Sequence, residues 1–220
     1  MNKYRLLLFL GLLFLFFSFN KVNAYINEFP LLGKVIYLDA GHGGRDPGAI
    51  YQQIMEKDIN LIIVKKLALE LEKMGAVVLL TRDGDYDLAL DGAVKRKQSD
   101  LLKRVSLINN SNCDLFLSIH MNAYSSSKWN GLQIFYDDIN KKNKILAEVI
   151  NDTLKENLKD IRNIKNENGY FMYHKIKVPG ILIEVGFITN AEDRYKLRDN
   201  NYQNLLVKNI AKGVFNYFNN

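Results

Sequence analysis

The stretch that most constrains this chain is Val35 to Gly48, which reads Val-Ile-Tyr-Leu-Asp-Ala-Gly-His-Gly-Gly-Arg-Asp-Pro-Gly. Val35–Leu38 is a short β-branched and aromatic run of the kind that forms a buried strand. Its periodicity then stops, and Asp39, Gly41, Gly43, Gly44, Asp46, Pro47 and Gly48 crowd into the following residues. A strand cut off by a glycine-rich turn presents its last side chains at the carboxyl edge of a sheet. That edge is where open α/β sheets bind ligands. His42 stands in the turn between glycines that accept positive φ and leave its imidazole uncrowded. From these residues alone His42 is a metal ligand, a general base or simply a loop histidine.

Three more positions carry comparable chemistry. Glu56 precedes Lys57-Asp58 where a helical pattern begins. His120 ends the run Leu115-Phe116-Leu117-Ser118-Ile119 and is followed by Asn122, while Glu184 ends Ile181-Leu182-Ile183. Two His and one Glu are the protein ligands of an open catalytic zinc site, which keeps a fourth position for water. A remaining carboxylate is what such a site needs to take the proton from that water.

With these motifs the sequence resembles the zinc-dependent N-acetylmuramoyl-L-alanine amidases of the type 3 class. The matching segments are Leu38-Asp39-Ala40-Gly41-His42-Gly43-Gly44, Glu56-Lys57-Asp58, Thr81-Arg82-Asp83, Ser118-Ile119-His120-Met121-Asn122 and Glu184-Val185-Gly186-Phe187-Ile188-Thr189-Asn190. They occur in the family's order from Val35 onward. The resemblance implies that His42, Glu56 and His120 bind one Zn2+ and that Glu184 is the catalytic glutamate. It implies hydrolysis of the peptidoglycan amide between N-acetylmuramic acid and the L-alanine of the stem peptide. Arg82 and Asn122, inside matching segments, are candidate substrate contacts. So is Trp129, whose ring offers a face for stacking on a sugar. The nearest likeness is to the compact sporulation and germination amidases of spore-forming Gram-positive bacteria, which act on spore cortex. Cell-division members of the family carry an inhibitory helical insert after the strand that follows the second His motif. Here only Asp137-Asp138-Ile139-Asn140 separates strand from helix, so an open site is expected.

Around these motifs, strands alternate with helices, which argues for an α/β fold: a mostly parallel twisted sheet with helices on both faces, as a single catalytic domain. Helical stripes run over Asp58–Met74, Asp100–Asn110 (bearing Arg104 and Asn109), Lys142–Leu158 and Tyr202–Phe218. With Asp58 as cap, Glu56 falls in the loop before the first of these helices. The other strands are Ala76–Leu80, Asp114–His120, Gly131–Tyr136 and Gly180–Val185. Gly84–Ser99 is polar and irregular and is assigned no element. Arg162–Tyr173 is a polar segment leading to the last strand. His174 lies among Tyr170-Phe171-Met172-Tyr173, where aromatic packing is the ordinary explanation.

The leader divides the chain into residues 1–24, a signal peptide, 25–34, a short leader, and 35–220, the catalytic domain. Lys3 and Arg5 precede an apolar block from Leu6 to Phe19, and Val22-Asn23-Ala24 supplies a peptidase-type cleavage site. The block is shorter than the ~20 residues of a comfortable membrane span. That favours a cleaved signal peptide over an uncleaved anchor, and either places the domain outside the cytoplasm, in the cell wall or spore intermembrane space. Removing Lys3, Arg5 and Lys21 from the 30 basic residues leaves 27 against 24 acidic ones. So mild a balance argues against nucleic acid as a partner. Cys113 is the only cysteine, so no internal disulfide forms.

Three other readings compete. A zinc exopeptidase on a related fold would need a second metal and more Asp ligands. A non-catalytic wall-binding module would lack one of the four site residues. A docking protein would owe its main task to a partner. Because no wall-binding repeat accompanies the domain, an exported activating or targeting protein is expected to assist it.

Overall fold

The computed structural model describes residues 7–17, 28–172 and 174–219. Lys3, Arg5 and the Val22-Asn23-Ala24 segment lie outside the described residues. Residues 7–17 are helical, and no described helix is long and apolar enough to cross a membrane.

Among the described residues from 28 onward there are eight strands and five helices. They are β1 (Val35–Ala40), β2 (Ile50–Tyr51), β3 (Ile54–Met55), α1 (Glu56–Lys73), β4 (Val77–Leu80), α2 (Arg96–Asn109), β5 (Leu115–Asn122), β6 (Gln133–Tyr136), α3 (Lys141–Asn157), β7 (Lys165–Asn166), β8 (Gly180–Phe187), α4 (Ala191–Arg198) and α5 (Asn200–Asn219). The main sheet has the order β4-β1-β5-β8-β6-β7, and β2 pairs with β3 alone. Within the main sheet only the β6–β8 pair is antiparallel. The expected mostly parallel α/β sheet is what the chain forms.

Alternation along the central strands sorts the two faces of the sheet. Ile36, Leu38 and Ala40 of β1, Leu115, Leu117 and Ile119 of β5, and Ile181, Ile183 and Val185 of β8 join the larger core. On that side α1, α3 and α5 cover the sheet with Ile63, Leu67, Leu146, Ile150, Leu206 and Ile210. The intervening residues point to the other face. There Tyr37, Phe116 and Leu182 meet Val105 and Ile108 of α2 in a smaller cluster. Continuing the same period toward the carboxyl ends places Asp39, Ser118, His120 and Glu184 on this thinly covered face. The sparse cover is what leaves room for a site.

β8 starts under an aromatic ring. A Cβ added at Gly180 would stand 2.0 Å from Phe116 carbons. Gly180→Ala therefore overpacks the β5–β8 contact, and thermal unfolding should report a loss of about 1–3 kcal/mol.

Several element ends differ from the sequence expectation. Glu56 is the first residue of α1 rather than a loop residue, because Met55, in extended backbone, is the N-cap and offers no side-chain cap. α2 begins a turn before Asp100, at Arg96, with Lys95 as N-cap. β5 and β8 each run two residues beyond their expected ends, to Asn122 and Phe187. A separate helix, α4, precedes the closing helix. Asn190 caps it by accepting from Glu192 N and Asp193 N, and Asp199 then accepts from Tyr202 N at 2.8 Å as α5 starts.

Candidate metal centre

His42 sits just past β1 at φ 63°, a left-handed conformation unusual for a side chain with Cβ. The turn is held from several directions. Gly43 and Asp46 exchange backbone hydrogen bonds of 2.9 and 3.0 Å, and Asp46 Oδ1 accepts from Gly48 N at 3.1 Å. Arg104 of α2 donates to the His42 carbonyl at 2.6 Å and the Ala40 carbonyl at 2.8 Å. The polar segment between β4 and α2 clamps the turn's outer side: Gly44 N donates to Asp85 Oδ1 at 2.8 Å, and Lys57 pairs with Asp85 at 2.7 Å. That segment is irregular because it serves as a strap of side chain–backbone bonds instead of forming a ladder.

His120 comes from the neighbouring strand. Gly41 lets it approach, since a Cβ there would stand 2.2–2.5 Å from three His120 ring atoms. Gly41→Ala must displace the imidazole, and metal titration should show affinity weakened roughly tenfold or more.

Glu56, at the start of α1, completes the group. Its Oε1 lies 3.2 Å from His42 Nε2 and 3.0 Å from His120 Nδ1. Met121 N also donates to Oε1 at 3.1 Å, and Ala49 N donates to Oε2 at 2.9 Å. Burial would raise the Glu56 pKa, but the two imidazoles outweigh it and hold the carboxyl far below its ordinary range. His42 moves the other way. Burial pulls it down, while hydrogen bonds to Glu56 and Asp46 outweigh that and raise it. Asp46 Oδ2 lies 2.9 Å from His42 Nδ1. A carboxylate on the far ring nitrogen fixes an imidazole's orientation and leaves Nε2 to face a ligand. The motif reading did not single out Asp46 as a partner of His42; its signal was a carboxylate four residues after a glycine-flanked histidine.

Glu184 faces this group across the sheet, paired in register with His120. It is buried, and its Oε2 has no hydrogen-bond partner among the described residues. Burial, and then the nearby Glu56 charge, push its pKa up from 4.5 to about 8. An unpartnered buried carboxylate oxygen costs free energy unless something compensates for it.

One ligand atom each from His42, Glu56 and His120 lies within 4.8 Å of the others. Two imidazoles and one carboxylate fit a divalent zinc-type cation with one open position. Glu184 lines the same cavity, a position that suits a carboxylate beside a cation-bound water.

Behind the centre lies a buried charge cluster. Arg104 reaches Asp39 at 2.6 Å and Asp100 at 2.8 Å, and Asp39 also accepts from Thr81 and Ser118. Although burial opposes it, the Arg104 charge and these hydrogen bonds hold Asp39 at about 2.

The cavity over the centre has a volume of about 370 Å3 and is lined by all four chemical residues. His42 and His120 keep 17% and 20% side-chain exposure, so they remain reachable. Between β6 and α3 only a short turn intervenes, with Asn140 capping α3. The Tyr170–Met172 segment does contribute one wall, a role that its polar surroundings in the sequence did not suggest. Of the candidate substrate contacts, Asn122 lines the cavity. Arg82 does not: its buried guanidinium donates to the carbonyls of Ala40, Gly84, Gly41 and Lys57. Four carbonyl partners inside the fold hold the turn together and keep the side chain away from ligand. Trp129 also lies off the cavity lining, with the Arg162 guanidinium 4.8 Å from its ring centre. His174 is exposed and faces the Asn168 carbonyl at 2.7 Å.

Residues 36–216 match the family model described as N-acetylmuramoyl-L-alanine amidase. The chain is 41% identical over 219 residues to the germination-specific N-acetylmuramoyl-L-alanine amidase of Bacillus subtilis, covering 97% of this chain and 92% of that one. Its fold is similar to the CwlD amidase of Clostridioides difficile, solved in complex with the GerS lipoprotein, with TM-score 0.81 and 35% identity over 85% of this chain and 99% of that one. It is also similar to the catalytic domain of CwlV, an amidase of Bacillus (Paenibacillus) polymyxa var. colistinus, with TM-score 0.74 and 31% identity over 84% and 98% of the two chains.

Proposed function

The chain belongs to the N-acetylmuramoyl-L-alanine amidase family, and we propose that this peptidoglycan amidase works with one zinc ion held by His42, Glu56 and His120 and with Glu184 as its proton carrier. The observation that carries the reading is that a buried Glu184 with an unpartnered oxygen lines the same cavity as a two-imidazole, one-carboxylate donor set. Zinc bound there would polarise the scissile carbonyl and acidify the attacking water. Glu184 accepts one proton from the water as the water oxygen bonds to the carbonyl carbon. It then returns that proton to the alanine nitrogen as the C–N bond breaks, leaving a free amine and a lactyl carboxylic acid that ionises by giving its remaining proton to the amine or to solvent. Asp46 keeps the His42 ring oriented throughout. Phe116 and Leu182 give the cavity apolar walls, which strengthen every charge interaction inside.

Within peptidoglycan we take spore cortex as the target, supported by the 41% identity to a germination-specific amidase. Action outside the cytoplasm fits these relatives. We read residues 1–24 as a cleaved signal peptide and 35–220 as the catalytic domain. We also infer an exported protein partner, supported by the CwlD neighbour's complex with a lipoprotein. Full zinc affinity and full activity of the purified chain alone would leave that partner only a targeting role. For the reaction itself, purified peptidoglycan should yield stem peptides with new N-terminal alanine and no new reducing sugar ends. Reducing ends without free alanine amines would sink the amidase assignment.

A further inference from the structure

Resting on the amidase reading above, we propose that Lys97, between the apolar walls of Leu101 and Phe171, reads the first free carboxylate of the stem peptide beyond the scissile alanine. The cavity over the candidate metal centre is walled on one side by α2. Lys97, Leu101 and Phe171 line it, and the same three residues line a second cavity of about 520 Å3 that reaches Lys95 and Gln98. The two cavities thus share these three side chains as a common wall.

Charge around these cavities is uneven. Near the centre the walls carry the carboxylates of Asp39, Asp46, Glu56, Asp100 and Glu184. The Arg104 guanidinium there is committed to Asp39 and Asp100, and Arg96 of the outer cavity to Asp87. Lys97 is exposed, and no hydrogen bond or ion pair is formed by it among the described residues. It is near enough for its charge to act on Asp46, although the stronger influences there are burial and the His42 hydrogen bond. A free ammonium beside apolar side chains suits a ligand that carries a carboxylate on a largely apolar chain.

That description fits the peptide arm of the substrate better than the glycan arm. A sugar presents hydroxyls on every edge, and the Leu101–Phe171 walls offer them no partners. The peptide continues from the scissile alanine into an acidic residue joined through its side chain, whose α-carboxylate stays free. One extended residue spans about 3.3–3.6 Å, so this carboxylate emerges close to the cleaved bond, within a cavity that Lys97 also lines.

The test uses the full enzyme on two synthetic muramoyl peptides that differ only at that second residue, one with an α-carboxylate and one with an α-carboxamide. The parent enzyme should favour the carboxylate roughly tenfold in kcat/KM, with the difference carried by KM. Lys97→Gln should bring the ratio close to one, and Lys97→Arg should restore most of it. Zinc content, measured in parallel, should remain stoichiometric in each variant. An equal loss on both substrates would mean that Lys97 acts through Asp46 and His42, and would overturn the subsite. So would a parent enzyme with no preference. If the parent enzyme cleaves neither substrate, the amidase reading fails and the subsite falls with it.

Discussion

Replacing Glu184 by glutamine should lower kcat by roughly two to four orders of magnitude while zinc remains bound. The exchange preserves shape and leaves His42, Glu56 and His120 untouched. It removes the group to which we assign the transfer of a proton between water and leaving amine. A rate within a few-fold of the parent would hand that task to another group or to the metal-activated water alone. The same substitution has a second readout in the metal-free protein. There the folded-state pKa of Glu184 lies near 8, above its ordinary 4.5. The fold therefore prefers the protonated acid. Its contribution is undiminished below pH 4.5, declines as pH rises from 4.5 to about 8, and stays low above that. Melting temperatures of chelated protein across this window should fall less for Glu184→Gln than for the parent. A bound divalent cation replaces the local negative field with a positive one, so reloading metal should flatten the parent's slope as well.

Substituting His120 by alanine should abolish both metal binding and hydrolysis. Only His42 and Glu56 would remain as donors, and two donors hold a zinc-type ion far less firmly than three. Metal analysis of the purified variant is the direct check, and one zinc per chain retained would show that the ligand assignment is wrong. Asp46→Ala should separate orientation from ligation. It leaves three donors in place but frees the His42 ring, so metal affinity should weaken by roughly 10–100-fold while loading at excess zinc persists. Strong chelators should inactivate the parent, with activity returning when zinc is restored.

The features that were legible in the sequence were those in which local chemistry and strand position coincide. Val35–Ala40, Leu115–Asn122 and Gly180–Phe187 are apolar runs broken toward their carboxyl ends by Asp39, His120 and Glu184, so the run and its interruption together mark both the strand and its functional edge. Asp46 was less visible, because an aspartate in a Gly-Pro turn looks like turn chemistry until His42 Nδ1 is seen 2.9 Å away. Arg82 illustrates the opposite difficulty. Its four carbonyl acceptors belong to stretches centred on residues 40, 57 and 84, and no spacing rule anticipates a bond set that only tertiary folding assembles. The residues from Gly84 to Ser99 carry no periodicity because their bonds run from Asp85 and Asp87 to Gly44, Lys57 and Arg96. Tyr170–Met172 reads as an aromatic patch, and its place on the cavity wall follows from the route taken between β7 and β8.

The order β4-β1-β5-β8 bears on when the site comes into being. Parallel neighbours cannot be joined by a tight turn: Ile36 pairs with Leu115, and His120 with Glu184. Dozens of residues must be looped out before either pairing gains anything, and folds dominated by such distant pairings form slowly compared with helical bundles. Until those strands lock together, His42, Glu56 and His120 are three isolated side chains with no chelating power. On the proposed ligand set, acquisition of the ion is thus a late event that waits on completed assembly. The metal first captured is then governed by which cations, and how much of each, surround the chain where it finishes folding.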